Sequence, residues 1–214
     1  MPITIMASTA APVAAKLLEI GAIKLNTERP YTWSSGWKSP IYCDNRLSLS
    51  FPHIRSYIKR CLAEAIREHF PDAEAIAGVA TAGVPQGALV AEELHLPFLY
   101  VRPKPKDHGL ENLIEGKLET GQRVVLVEDL ISTGGSSLKA ATALRDGGAV
   151  VSGMVAIFTY GFDAAAQNFE KERIKLVCLS DFPHLLEVAL QHNFITNEQL
   201  APIKAWRLDP ANWK

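Results

Sequence analysis

The apolar runs AIAGVA from Ala75, LPFLYV from Leu96, VVLV from Val124 and VSGMVAIF from Val151 show no alternation of apolar and polar residues. A strand with one wet face alternates, so uninterrupted runs of this kind belong to strands covered on both faces. Between them lie stretches of helical character: Val84 to Leu94, with Pro85 in its first turn, and Ser136 to Arg145, stopped by Gly147 and Gly148. Strand alternating with helix predicts an α/β fold built on a parallel sheet, in which ligands sit beyond the carboxyl ends of the strands. Ahead of these runs, Phe51 to Phe70 places Ile54, Ile58, Cys61, Leu62, Ala65 and Ile66 at spacings of three and four, one core-facing stripe of a helix. Another helix, capped near Ser8 or Thr9, is expected at the start of the chain.

A length of 214 residues suits one core, so a single domain is expected. With a formal net charge of -1, no global field points to nucleic acid or to a membrane surface, and any anion site must be local. No apolar run is long enough to span a bilayer. Cys43, Cys61 and Cys178 are far apart, without a CxxC pair, which fits reduced thiols and a cytoplasmic protein better than disulfides or zinc.

The chemistry concentrates in VVLVEDLISTGGSS, Val124 to Ser137. The turn Ser132, Thr133, Gly134, Gly135, Ser136 follows a buried strand and opens a helix, so backbone N–H groups can converge on a phosphate at the positive end of the helix dipole. It is neither GxxxxGK[ST] nor GxGxxG. The acids Glu128 and Asp129 would repel a bare phosphate but accept hydrogen bonds from vicinal hydroxyls, and a phosphorylated sugar presents both groups. The connection RPKPKDHGLENLIEGKLETGQR, from Arg102, is long and interrupted by Pro and Gly; a short hairpin with a mobile tip fits it. Its Arg102, Lys104, Lys106 and His108 suit a lid over a polyanionic substrate, or else form a solvated basic loop.

Glu-Asp at a strand end, two apolar residues and then S-T-G-G-S resembles the phosphoribosyl-diphosphate signature of type I phosphoribosyltransferases. YTWSSGWKSPIYCDNR from Tyr31, GVATAGVPQGALVA from Gly78 and YVRPKPKDHG from Tyr100 extend the likeness along the chain. The KSPIYCDN and KDHG segments are similar to the orotate-using branch of that family. The resemblance implies a Rossmann-like parallel-sheet core over about 51–214, a small N-terminal hood over about 1–50 contributing to the base pocket, and a long flexible catalytic loop. It implies that Glu128 and Asp129 hold the ribose 2- and 3-hydroxyls, and that Leu130, Ile131, Ser132, Thr133, Gly134, Gly135 and Ser136 complete the phosphoribosyl-diphosphate site. Arg102, Lys106 and His108 would reach the diphosphate from the neighbouring subunit of a homodimer, and with Asp129 form the catalytic set. Ser132, Ser34, Tyr42, Cys43 and Tyr160 would meet orotate. Mg²⁺ would be the cofactor, held through the substrate and not by a protein-only site. The implied reaction moves ribose 5-phosphate from phosphoribosyl diphosphate to orotate; another acceptor base, or a binding module without turnover, are the competing expectations.

Overall fold

The computed structural model describes residues 3–33, 36–104 and 113–213. A seven-stranded sheet forms the centre, in the order β1-β11-β10-β9-β6-β7-β8. In chain order its strands are β1 (Thr4–Ile5), β6 (Ala75–Val79), β7 (Phe98–Val101), β8 (Ile114–Glu115), β9 (Arg123–Ile131), β10 (Val150–Thr159) and β11 (Leu176–Asp181). Between β1 and β6 come the short strands β2 (Ile23–Leu25), β3 (Tyr31–Thr32), β4 (Lys38–Ser39) and β5 (Ile41–Cys43), which pair antiparallel as β2 with β5 and β3 with β4. All pairings of the large sheet are parallel except β7 with β8, where Tyr100 faces Glu115 and Val101 faces Ile114; the connection after Arg102 thus contributes β8 to an antiparallel pair with the strand before it, in place of a hairpin of its own.

Both faces of the sheet are covered, which is why its strands do not alternate in sequence. Along β9, Val125 and Val127 join one core while Val124 and Leu126 join the other, and all four are buried. The helices are α1 (Ala10–Glu19), α2 (Pro52–His69), α3 (Gly83–Leu94), α4 (Gly135–Asp146), α5 (Asp163–Lys171), α6 (Phe182–Gln191) and α7 (Asn197–Leu208). The first core takes side chains from α1, α2, α3, α6 and α7, the second from α4 and α5. On α2 every residue of the expected stripe is buried, and Pro52 occupies the first turn, where a missing N–H costs nothing. Thr9 stands at the N-cap of α1, but its hydroxyl donates to the carbonyls of Met6 and Leu179 and thereby ties the helix start to β11.

The hood boundary near residue 50 moves. β1 pairs with β11 in the main sheet and α1 packs on α6, so Thr4 to Glu19 belong with the core and the small antiparallel part runs from Ile23 to Cys43. A strand of two residues has no period to read, which is why β1 gave no signal in the sequence. The C-terminal helix anchors this part: the indole N–H of Trp206, a fully buried side chain, donates to the carbonyl of Lys38 at 3.2 Å. Among the described residues no helix is long and apolar enough to cross a membrane.

Candidate active site

The chain passes from β6 outward to β7, then returns to place β9 on the other side of β6 and continues outward through β10 and β11. Between β6 and β9 the strand order therefore reverses, leaving a crevice at their carboxyl ends where an open α/β sheet receives ligands. Glu128 to Ser136 lies at that point. β9 runs to Ile131, so the acids are still in the strand, with Glu128 opposite Ala156 of β10. Gly83, at the head of α3, has no room for a side chain against the carbonyl of Val127; this close approach seats α3 beside the acids.

The two acids take different environments. Glu128 is only 6 % exposed; one carboxylate oxygen accepts the N–H of Asp129 at 3.0 Å and the other the hydroxyl of Ser137 at 2.9 Å. Burial, and then the charge of Asp129, push the Glu128 carboxyl well above the usual carboxylate range. Burial raises Asp129 too, but a hydrogen bond from Glu128 works against that rise. Like charges this close disfavour joint ionisation, and Glu128 is the more strongly raised of the two. Glu128 is thus a buried brace whose two oxygens are already engaged, and Asp129 is the acid whose side chain is left to accept hydroxyl groups. The backbone carbonyl of Asp129 accepts from the side-chain amide of buried Asn45 at 2.7 Å, which joins this strand end to the helical turn Asn45–Ser50 that follows β5.

After Ile131 the chain turns through Ser132 and Thr133 into Gly134, whose φ is +81°. Asn168 of α5 donates to the carbonyl of Thr133 at 3.0 Å and holds the turn from outside. α4 begins at Gly135, so the amides of its first turn are those a helix leaves without internal partners, an arrangement that suits an anion. No other side chain limits Gly135: a Cβ there would meet only Thr133 Oγ1, at 4.0 Å.

Two hollows flank this turn. The first is a cleft of about 730 Å³ that brings together Tyr42, Cys43, Leu130, Ser132, Thr133 and Tyr160. Its remaining lining is Thr32, Trp33, Trp37 and Arg46, which the sequence reading did not select. Trp33 lies 5.1 Å from the ring of Tyr160 and 6.5 Å from that of Trp37, an aromatic wall suited to a flat heterocycle. Tyr160 is 2 % exposed, and burial, with Cys43 and Asp129 nearby, pushes its hydroxyl well up, so it stays protonated. Burial does the same to the Cys43 thiol, which donates to Asn45 Oδ1 at 3.3 Å. The signal for the missed residues was the pair of tryptophans in YTWSSGWKSP and the Arg directly after CDN; read as plain hydrophobic and surface residues, they carried none.

The second hollow, about 830 Å³, contains Ala80, Arg102, Gly135, Ser136, Lys139 and Lys171 among its lining. Arg102 lies here, apart from the aromatic cleft, with its guanidinium 3.5 Å from Glu115. Ile131 is fully buried; it serves through its carbonyl, which accepts from Tyr160 N–H and the Thr159 hydroxyl, each at 3.2 Å. Ser34, Lys106 and His108 lie outside the described residues. No group of three or more His, Cys, Asp or Glu is arranged to hold a metal ion among the described residues.

Comparison with known proteins places this geometry in context. The phosphoribosyl transferase domain family matches residues 47–189. The orotate phosphoribosyltransferase of Porphyromonas gingivalis is 58% identical over 201 residues, covering 94% of this chain and 96% of that protein. That of Cytophaga hutchinsonii is 55% identical over 202 residues, 94% of this chain and 97% of that one. The solved structure of the Aeropyrum pernix orotate phosphoribosyltransferase superposes with a TM-score of 0.70 at 30% identity, covering 82% of this chain and 97% of that chain.

Proposed function

Since the chain belongs to the phosphoribosyl transferase domain family, we propose that its cleft joins orotate to the ribose of phosphoribosyl diphosphate, as the names of its close relatives state for them. The protein is an orotate phosphoribosyltransferase, a pentosyltransferase that yields orotidine 5-phosphate and diphosphate. One observation carries the assignment to this site: the Asp129 carboxyl and a glycine turn opening α4 stand at the switch point, next to an aromatic cleft. They match, in order, the hydroxyls, the phosphate and the base of the reacting pair.

In the reaction the N1–C1 bond forms as the bond from C1 to the diphosphate oxygen breaks, and the electron pair leaves with diphosphate. Orotate reacts with N1 deprotonated, so the protein has little bond-making to do. Its task is to position the partners and stabilise charge as C1 becomes oxocarbenium-like. Asp129 accepts the ribose hydroxyls, and Glu128 positions it through the hydrogen bond from its backbone N–H. The first-turn amides of α4, with the hydroxyls of Thr133 and Ser136, take the 5-phosphate. Ser132, Tyr42, Cys43 and Tyr160, backed by Trp33, enclose the base and exclude water. Arg102, Lys106 and His108 stabilise the leaving diphosphate, presented to the cleft by the neighbouring subunit of a homodimer.

Mg²⁺, when bound, would be held mainly through the substrate's phosphates, since this ion keeps its waters and takes few carboxylates. Asp129, a hard oxygen donor, is the carboxylate the site offers it. The ion supplies neutralisation of the leaving group's charge. The test is a panel of bases with phosphoribosyl diphosphate and Mg²⁺, read by chromatography. Orotidine 5-phosphate from orotate, with little product from uracil or hypoxanthine, is expected; preferential use of another base would move the assignment, and binding without product would make the chain a binding module.

A further inference from the structure

We infer that Arg46 selects the base by binding its carboxylate, an inference that rests on the reading of orotate as acceptor. Orotate differs from uracil by that one carboxylate, and a carboxylate entering a cleft near Asp129 needs hydrogen-bond donors to replace lost water. Among the described residues that line the cleft, Arg46 is the one cation.

Its Nε and Nη2 donate to the two oxygens of Asp44 at 2.7 and 2.9 Å, which fixes the plane of the guanidinium. That uses two of the five N–H donors of an arginine and leaves three. The Arg46 side chain is 59 % exposed, so this free edge is wet and not packed. A guanidinium held by one carboxylate in this way presents a planar fork to a second. Its field already acts on the ribose end of the site, where it draws the Asp129 carboxyl downward against the effect of burial.

Lys38 is the rival cation. Its ammonium donates to the hydroxyl of Thr32 at 2.8 Å, and Thr32 lines the cleft, but Lys38 itself is an exposed residue that does not line it. A lysine would offer a point charge from behind Thr32, without the fork.

The product and its decarboxylated counterpart isolate the effect, because orotidine 5-phosphate and uridine 5-phosphate differ only in this carboxylate. Binding of both to wild type, Arg46→Met, Arg46→Lys and Lys38→Met is measured by calorimetry. Wild type should favour orotidine 5-phosphate about 10- to 100-fold, the range that charge-assisted hydrogen bonds provide. In Arg46→Met the preference should fall to within about three-fold of unity while affinity for uridine 5-phosphate is kept, and Arg46→Lys should recover part of it. A preference unchanged in Arg46→Met, one abolished in Lys38→Met alone, or equal loss of both ligands in Arg46→Met would overturn the role given to Arg46. If wild type forms no orotidine 5-phosphate from orotate, the functional reading falls and this inference with it; if turnover is normal and the preference survives in Arg46→Met, only this inference falls.

Discussion

Replacing Gly134 by alanine perturbs the phosphate turn through two independent costs. Gly134 has φ +81°, a left-handed conformation that costs an L-residue about 1–2 kcal/mol. The new Cβ would stand 2.6 Å from Cε2 and 3.2 Å from Cδ2 of Phe169. Phe169 is 1 % exposed, so it has no free volume to retreat into, and overpacking of this kind costs about 1–3 kcal/mol. Together the destabilisation is about 2–5 kcal/mol, which for a chain of this length lowers Tm by about 4–20 °C. Gly135→Ala is the control, since its Cβ would meet only Thr133 Oγ1 at 4.0 Å and should leave Tm nearly unchanged. Its methyl group would nevertheless stand where the first-turn amides of α4 are to meet a phosphate. Thermal unfolding and calorimetric titration with phosphoribosyl diphosphate separate the two variants: Gly134→Ala should lose stability and affinity, Gly135→Ala affinity alone. A Gly134→Ala protein that melts within about a degree of wild type would refute the left-handed turn packed on Phe169.

The Glu128 carboxyl, raised in the folded state above its ordinary value of 4.5, contributes its full stability below that pH and loses it as pH rises through the folded value. Glu128→Gln should therefore gain on wild type in urea unfolding as pH rises above the ordinary value, and a difference that stays constant with pH would count against a raised Glu128 carboxyl. On the role proposed for Asp129 toward the ribose hydroxyls, Asp129→Asn should weaken phosphoribosyl diphosphate binding about 10-fold or more, measured by titration; unchanged affinity would remove Asp129 from the site. Mixing Lys106→Ala with Asp129→Ala protein should restore part of the activity in hybrid dimers, whereas no recovery would mean that each chain completes its own site.

The long helices and buried strands were legible in the sequence because their signals are local. The α2 stripe follows a 3.6-residue period, and the apolar runs of β6, β9 and β10 have no wet face. β9 extends beyond VVLV to Ile131 through two acids, which strands ordinarily disfavour; it does so because Asp129 N–H and Ser137 answer Glu128. The motif marked the sugar-phosphate site but not the unequal roles within the acid pair, since these depend on Ser137 and on burial that only packing creates. The aromatic wall was hidden because Trp33 and Tyr160 are distant in sequence and meet only when β10 ends beside the short antiparallel part. Trp206, which secures that part through the Lys38 carbonyl, is separated from it by most of the chain. Arg102, expected to act on the neighbouring subunit, lines the second hollow together with Gly135 and Ser136, a placement that follows from β7 lying outside β6 in the sheet.

A crystal structure of the protein with orotidine 5-phosphate tests the central claim most directly, because one ligand reports all three parts of the site. The phosphate is expected on the amides that open α4 at Gly135 and Ser136, the ribose hydroxyls on Asp129, and the pyrimidine in the cleft against Trp33 and Tyr160 with its carboxylate toward Arg46. Electron density placing the phosphate away from the amides of Gly135 and Ser136, or the ribose hydroxyls away from Asp129, would contradict it.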